Sequence, residues 1–303
     1  MGYTLRLVVT PHCNFKCFFC YREGTACRES SLLSCEDFVS LVKNFAAIRP
    51  LTKVRVTGGE PLLYRDLVPL LKALKCEFPF LDVGFTTNAS TPDRLLYIAR
   101  VFSNGPLFLN ISLPSLQADK FERITRSSRY SEVMSSIERL IAEGFTSNVS
   151  INFVFMPGMN DSELPAMVDF AQTNNLRLKV ICLTVNEFNR AEIDSFGIKP
   201  SEESLIRDKI KGLGYIQVGS AQTFMKGKHC VKVVNCFAHQ PIPYFEMFKT
   251  FRIYYDGRIG ISGDYDGFIR PLDLSDPRKA ITNILCDLEK YVKSDTSQEV
   301  TNG

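Results

Sequence analysis

Three closely spaced cysteines, Cys13, Cys17 and Cys20, follow an apolar, strand-like run from Leu5 to Val9. Thiolates at this Cys-x3-Cys-x2-Cys spacing can bind three of the four irons of a cubane cluster and leave the fourth iron open, whereas clusters that only carry electrons are normally held by four cysteines. Cys13 and Cys20 lie too far apart for a Cys-x2-Cys redox pair, and no pair of histidines completes a zinc site nearby. The loop therefore favours a cluster that does chemistry over zinc or purely structural cysteines.

A second motif lies one strand–helix unit further along the chain. Residues 54–61 read Val-Arg-Val-Thr-Gly-Gly-Glu-Pro, which predicts a short buried strand that ends in two glycines and an acid. Gly58 and Gly59 would let the backbone approach a ligand closely, and the Glu60 side chain could bind an amino group. Alone such a string is typical of an ordinary turn, but after the cysteine loop it indicates a cofactor site.

Together the two motifs resemble those of the radical S-adenosylmethionine (radical SAM) enzymes. The resemblance implies that Cys13, Cys17 and Cys20 hold one 4Fe–4S cluster, and that Gly58, Gly59 and Glu60 bind the methionine part of SAM. It also implies reductive cleavage of SAM to a 5′-deoxyadenosyl radical that abstracts hydrogen from a substrate. The difficult chemistry then belongs to the cofactors, while the protein positions them and excludes water.

The composition agrees with a cytoplasmic enzyme. The chain has 303 residues, 45% of them hydrophobic, enough for one main domain with an appendage. A net charge of +3 is too small to indicate nucleic acid or a membrane surface as a partner. The N-terminus shows no signal-peptide pattern, and no apolar run is long enough to span a membrane. The ten cysteines are expected to be reduced thiols, as in a cytosol.

The elements that must position the motifs alternate along the chain. Apolar, β-branched runs predict strands at Thr4–Val9, Lys53–Val56, Asp82–Thr86, Leu107–Ser112, Asn148–Phe155 and Leu178–Leu183. Apolar residues at helical spacing predict helices at Cys35–Ala47, Asp66–Cys76, Asp93–Phe102, Tyr130–Glu143 and Asp161–Gln172. Ser34 and Asp37 form a predicted capping box at the first of these helices, and further helix starts are predicted at Thr91–Asp93 and Asn160–Asp161.

Six strands that alternate with helices predict a parallel sheet with right-handed crossovers, with function at the carboxyl ends of the strands. This α/β pattern fits the partial (β/α)6 TIM-like barrel of radical SAM enzymes, with a smaller C-terminal α+β extension. We expect the barrel at residues 1–213, an extension that covers the substrate at 214–292, and a disordered polar tail at 293–303.

Over about the first 190 residues the chain is most similar to the GTP 3′,8-cyclases of molybdenum-cofactor biosynthesis. The matching strings lie at residues 5–7, 13–17, 55–62, 65–67, 86–88, 110–113 and 158–161. The similarity implies further SAM contacts at Phe19, Ser112 and Thr184. It also implies substrate contacts at Arg6, Arg55, Thr86 and Arg252. An arginine in an apolar strand is costly unless it meets an anion, and a structural salt bridge is the alternative for each.

Two departures separate this chain from those cyclases. Ser150 stands where the cyclases have a lysine that binds the triphosphate. The cyclases also hold a second cluster through three C-terminal cysteines, whereas the corresponding segment here, residues 248–262, contains none and has Ser262 at the last ligand position. Cys230 and Cys236 lie upstream at a spacing that does not supply the missing site. The radical-generating half is thus expected to be intact and the substrate half rebuilt.

The expected function is hydrogen abstraction from a small polar substrate, with a nucleotide or nucleoside of specialised metabolism as the first candidate. Cyclisation, epimerisation, dehydrogenation and decarboxylation stay open as outcomes, and so does the assignment to lyases, oxidoreductases or isomerases. The expected electron donor is a protein such as flavodoxin or ferredoxin. Modification of a ribosomally made peptide, activation of a protein partner and a non-enzymatic binding protein are the alternatives.

Overall fold

The structure is a computed structural model that describes residues 2–20, 33–183, 185–186, 188–199, 203–219, 222–234, 249–261 and 269–287. In this part of the chain the strands β1 to β12 are, in order, Tyr3–Val8, Leu51–Thr57, Asp82–Thr87, Phe108–Ser112, Val149–Phe155, Arg177–Cys182, Ile216–Gln217, Thr223–Lys226, His229–Val234, Thr250–Tyr254, Arg258–Ile261 and Arg270–Pro271. The helices α1 to α8 are Cys35–Ile48, Leu67–Glu77, Pro92–Val101, Ala118–Thr125, Tyr130–Ala142, Leu164–Thr173, Arg190–Ser195 and Glu203–Gly212.

All described strands belong to one sheet with the order β12-β11-β10-β1-β2-β3-β4-β5-β6-β9-β8-β7. The eight central strands, which are β10, β1–β6 and β9, run parallel to one another. The strands outside them pair antiparallel. The α/β fold with a TIM-like partial barrel is therefore confirmed, and β1–β6 match the six predicted strands. The strands after residue 213 join the same sheet on both sides, so the domain boundary there stays a prediction.

Alternation along the strands separates two faces of the sheet. Leu5 and Leu7 in β1 are fully buried, and so are Val54 and Val56 in β2. They belong to the same core cluster as residues of α1 such as Phe45. Full burial of each such side chain contributes about 1.5–3 kcal/mol relative to exposure. The residues between them, among them the predicted arginines, therefore face the other side, which is the interior of the partial barrel.

Local signals placed most of the helices correctly. Ser34 accepts a hydrogen bond from the Asp37 backbone N–H, and the Asp37 side chain accepts one from the Ser34 backbone N–H, so the predicted capping box is present. Helix α3 begins at Pro92, as predicted. A short 3₁₀ turn at Asp161–Glu163 precedes α6, which begins three residues later than predicted. Helix α4 was not predicted, because its eight residues are shorter than a reliable periodic pattern.

The expectation of reduced thiols is wrong at one position. Cys182, at the end of β6, carries a disulfide bond, whereas the other cysteines in the described part of the chain are free. The cytoplasmic location stays a prediction. Among the described residues, no helix has the length and apolar character needed to cross a membrane. The predicted disordered tail at 293–303 lies outside the described residues.

Candidate active site

The cysteine loop follows the carboxyl end of β1 and rests on the C-terminal end of α4. The backbone N–H of Lys16 donates to the carbonyl of Thr125 (3.1 Å), and that of Phe18 donates to the carbonyl of Ile124 (3.2 Å). Phe15 packs edge-on against Phe121 of the same helix, with ring centroids 6.0 Å apart. The helix that sequence reasoning missed is thus the support on which the cysteines are positioned.

The three predicted cluster ligands all lie on the loop that follows β1. Cys13, Cys17 and Cys20 are all free, and the outer two are exposed. Burial raises the pKa of Cys13 to about 11, and Glu60 and Cys20 raise it further. Burial also raises the pKa of Cys17 above its usual range, and Cys20 and Cys13 add to this rise. Burial disfavours bare thiolates, and bound iron would stabilise them.

The number of ligands that the loop offers bears on the choice between zinc and a cluster. In the part of the chain that the structure describes, no three His, Cys, Asp or Glu side chains converge closely enough to bind one ion. In a cubane each thiolate binds a different iron, so its ligands stand further apart. Three thiolates can hold a cubane with an open iron, as the cysteine spacing predicts, whereas a structural zinc site has four protein ligands.

The two glycines after β2 allow a close approach of the cysteine loop. A Cβ atom on Gly59 would lie 2.1 Å from the carbonyl oxygen of His12, and one on Gly58 would lie 2.6 Å from that of Thr10. The backbone N–H groups of Gly59 and Glu60 donate to Thr10 and His12, respectively, at 2.7 Å. The glycines thus allow the cysteine loop itself to pack against β2, and their contact with SAM stays a prediction.

Glu60 ties together the loops at this edge of the sheet. Its carboxylate accepts hydrogen bonds from the Leu62 backbone N–H (2.9 Å), the Thr87 hydroxyl (2.6 Å) and the Asn88 backbone N–H (2.7 Å). The residue is 1% exposed, and burial raises its pKa to about 7 despite these hydrogen bonds. Binding of an amino group by its side chain stays a prediction; the structure gives Glu60 a positioning role.

The predicted SAM contacts occupy the same end of the sheet. Ser112 ends β4 and is level with Asn152 of β5. The Asn152 side-chain oxygen is buried and has no hydrogen-bond partner in the described part of the chain. An unused acceptor beside Ser112 is what a bound polar cofactor would satisfy. Thr184 lies outside the described residues.

The Phe19 carbonyl is bound by the side chain at the N-cap of α7. The Asn189 side chain, which is 1% exposed, donates to the Phe19 carbonyl at 2.9 Å. Sequence reasoning missed both Asn152 and Asn189. A polar residue at an inward strand position was the available signal for Asn152, but no local pattern marks Asn189.

The three predicted arginines lie side by side on neighbouring strands of the sheet. Arg252 of β10, Arg6 of β1 and Arg55 of β2 are direct register partners on three neighbouring strands. Arg55 forms an ion pair with Asp82 at 2.8 Å, which is the structural salt bridge that the sequence left as the alternative. Thr86 of β3 is the register partner of Asn110 of β4.

A cavity of about 130 Å³ lies on this face, towards the amino ends of the strands. Its charged lining residues are Lys53, Arg55, Asp82, Arg177, Lys179 and Lys232, and Cys230 also contributes. Asp82 is the one acid among these lining residues. Sequence reasoning assigned only Arg55 here. The missed signal is a positive charge at alternate positions of otherwise apolar strands, as in Lys53/Arg55 and Arg177/Lys179.

Lys179 lies where the cations converge. Its ammonium donates to the Asn110 side-chain oxygen. Burial lowers the pKa of Lys179 to about 8, and Arg55, Lys232, Arg6 and Arg177 lower it further. Cations from four strands therefore act on one ammonium group, and an anion in the cavity would relieve their repulsion. Lys179 lies two positions along β6 from Arg177, which is the register partner of Ser150.

Comparisons with known proteins agree with this arrangement. The family model of the Radical SAM superfamily matches residues 7–171. A GTP 3′,8-cyclase of Marinobacter nauticus is 36% identical over 178 residues, which cover 58% of this chain and 52% of that protein. A GTP 3′,8-cyclase of Aeromonas hydrophila subsp. hydrophila is 35% identical over 237 residues, 74% of this chain and 67% of that protein. The chain thus spans about half the length of the first relative and two thirds of the second.

Solved structures agree on the fold. SuiB of Streptococcus suis bound to S-adenosylmethionine superposes with a TM-score of 0.62 at 18% identity, over 86% of this chain and 60% of that one. The structure described as native anSMEcpe with bound AdoMet gives a TM-score of 0.52 at 13% identity, over 87% and 75% of the two chains. At such low identity these matches show a shared architecture and say nothing about substrate.

Proposed function

The chain belongs to the radical SAM superfamily, and from this premise we propose that it abstracts hydrogen from a small phosphorylated substrate of the nucleotide class. It is an enzyme whose cofactors are a 4Fe–4S cluster and SAM. These cofactors supply reductive cleavage of SAM and a 5′-deoxyadenosyl radical that abstracts the hydrogen. The observation that carries the substrate proposal is the group of cations around the cavity at the amino end of the barrel.

At the carboxyl end, the chain's own residues position the cofactors. In this proposal Cys13, Cys17 and Cys20 hold the cluster, and the contacts with α4 fix the loop that carries them. Asn152 and Ser112 offer polar groups to SAM. The reductant that we propose is a protein of the flavodoxin or ferredoxin type.

At the amino end, the cavity suits an anion with several charges. Five cationic residues and one acid line it. Guanidinium groups can bind phosphate oxygens in pairs, and an ammonium group adds a point charge. The Arg55 and Arg177 guanidinium groups also lie over the Phe108 ring, 5.4 and 5.7 Å from its centroid, which limits their freedom. A diphosphate or triphosphate would match this excess of positive charge better than a neutral molecule.

The separation between the two ends suits a nucleotide. Gly58 and Arg55 are three residues apart, which is about 10 Å along a strand. A substrate with its phosphates near Arg55 would place its sugar or base towards the carboxyl end, where the radical is formed. The relatives are named GTP 3′,8-cyclases, and a nucleotide substrate is carried over from them as part of the proposal. The same cyclisation is not proposed, because residues 248–262 lack the cysteines for a second cluster.

The test is equilibrium binding of a nucleoside and of its mono-, di- and triphosphate to the anaerobically prepared protein. Affinity should rise with the number of phosphates. Lys179→Gln should weaken triphosphate binding about 10- to 100-fold, because a hydrogen bond to a charged group contributes about 1.5–3 kcal/mol. The matched control is Lys43→Gln, which removes a surface ammonium that pairs with Glu77. Equal affinity for all four ligands, or equal losses in both variants, would refute the substrate class.

A further inference from the structure

The aromatic ring of Phe108 is contacted by guanidinium groups from two other strands. Phe108 belongs to β4, whereas Arg55 belongs to β2 and Arg177 to β6, two strands away on either side. The guanidinium carbons lie 5.4 and 5.7 Å from the centroid of the ring, and all three residues line the cavity at the amino end. One aromatic side chain therefore meets two cations at distances typical of cation–π interactions.

Small residues on the intervening strands allow this arrangement. Gly84 of β3 is the register partner of both Arg55 and Phe108, and a Cβ atom on it would lie 2.8 Å from the Cβ of Phe108. On the other side, Ser150 of β5 is buried and is the register partner of Arg177. Since neither residue has a long side chain, both guanidinium groups can reach across one strand to the ring.

The two guanidinium groups differ in how firmly they are held. Arg55 donates to the backbone carbonyls of Val54 (3.1 Å) and Asp82 (2.6 Å), and it pairs with the Asp82 carboxylate at 2.8 Å. Arg177, by contrast, is exposed at the start of β6, and the Phe108 ring is the contact that orients its guanidinium group. An exposed arginine has many rotamers to lose on binding, so the ring should matter more for Arg177 than for Arg55.

We propose that Phe108 selects substrates with two or more phosphate groups, because it holds the Arg177 guanidinium at the cavity that Arg55 lines from the other side. A guanidinium group can bind one phosphate through two parallel hydrogen bonds. Two guanidinium groups that share one ring can thus bind two consecutive phosphates, whereas a single phosphate needs only one of them. The bound anion also offsets the repulsion between the two cations. This inference rests on the phosphorylated substrate of the proposed function.

The experiment measures the dissociation constants of a nucleoside monophosphate and of the diphosphate by equilibrium binding to the anaerobically prepared protein. Phe108→Leu keeps an apolar side chain but removes the ring, so it should weaken diphosphate binding about fivefold and monophosphate binding by less than about twofold. Phe108→Tyr keeps the ring and should restore wild-type binding of both. The matched control is Phe102→Leu, on a partly buried phenylalanine that packs against the core, and it should change neither constant.

A double-mutant cycle separates the positioning of Arg177 from a general effect of the ring. Arg177→Gln should lower the ratio of diphosphate to monophosphate affinity by about fivefold or more, since it removes one of the two guanidinium groups. Adding Phe108→Leu to Arg177→Gln should cost less than about a further twofold, because the group that the ring positions is already absent.

Unchanged diphosphate affinity in Phe108→Leu would overturn the proposal, and so would equal losses for the two ligands. An undiminished effect of Phe108→Leu in the Arg177→Gln background would overturn it as well, because the ring would then act without Arg177. If Phe108→Leu does not fold, Arg177→Gln carries the test, and an unchanged affinity ratio in that variant would refute the selection. A wild-type protein that binds the nucleoside and both phosphates equally would instead refute the proposed substrate class.

Discussion

The two ends of the barrel are constructed in different ways. At the carboxyl end, backbone groups of neighbouring loops hold one another, as where Gly59 donates to Thr10 at 2.7 Å. At the amino end, long charged side chains from several strands meet around a cavity. The packing at the carboxyl end leaves no space for an added atom, whereas at the amino end one side chain can be replaced without moving the backbone. We therefore expect the carboxyl end to tolerate fewer substitutions than the amino end.

The largest effect is expected from removing a central ligand of the carboxyl end. Cys17→Ala should abolish cluster absorbance and all SAM cleavage, because a cubane held by two thiolates lacks an anchor for one iron. Iron content and 5′-deoxyadenosine release are the measurements. Cys76→Ala, on an exposed thiol of α2, is the control and should retain both. A variant that keeps its full cluster would show that Cys17 is not a ligand.

The next largest effect should follow from a single methyl group. In Gly59→Ala the new Cβ would meet the His12 carbonyl at 2.1 Å, so the cysteine loop must move. A displacement of about 1 Å commonly costs about 100-fold in rate, and SAM cleavage should fall by that order. Gly105→Ala, where nothing lies within 4 Å, should cleave SAM at the wild-type rate. Comparable rates in the two variants would show that the close contact is not needed.

A smaller effect is expected on the pH dependence of triphosphate binding at the amino end. The pKa of Lys179 is lowered to about 8, and a bound anion favours the protonated ammonium. Triphosphate affinity should thus be constant below that pH and fall by up to about tenfold per pH unit above it. The dissociation constant would be measured from about pH 7 to about pH 9.5, where phosphates are already ionised. Lys179→Gln should flatten the profile, and an unaltered profile in that variant would assign the dependence to another group.

The smallest predicted effect is a gain. Asp82→Asn removes the acid among the residues that line the cavity and its 2.8 Å ion pair with Arg55, which keeps its 2.6 Å hydrogen bond to the backbone carbonyl of residue 82. Triphosphate should then bind about three- to tenfold more tightly, because electrostatic attraction in a partly solvated site is modest. Release of 5′-deoxyadenosine without substrate should not change. Weaker binding in Asp82→Asn would mean that Asp82 orients Arg55 for the ligand, and would make the ion pair part of the site.

The same contrast explains how far sequence alone could predict the molecule. The cysteine loop and the Gly58–Gly59 pair were predicted because each is a local motif whose spacing carries its chemistry. The strands β1–β6 were predicted because buried parallel strands are near-continuous apolar runs. Lys179 and Lys232 were not, because a site formed by side chains of β6 and β9 depends on a pairing between distant segments. Asn189 was missed for the same reason, since the Phe19 carbonyl that it binds lies in a distant loop.

The central claim is that a phosphorylated substrate bridges the two ends. The most direct measurement reconstitutes the protein anaerobically with iron and sulfide, and quantifies 5′-deoxyadenosine with nucleosides and their mono-, di- and triphosphates. The account predicts stimulation that grows with the number of phosphates and is largely lost in Lys179→Gln. Equal stimulation by a nucleoside without phosphate, or stimulation by a peptide alone, would contradict it.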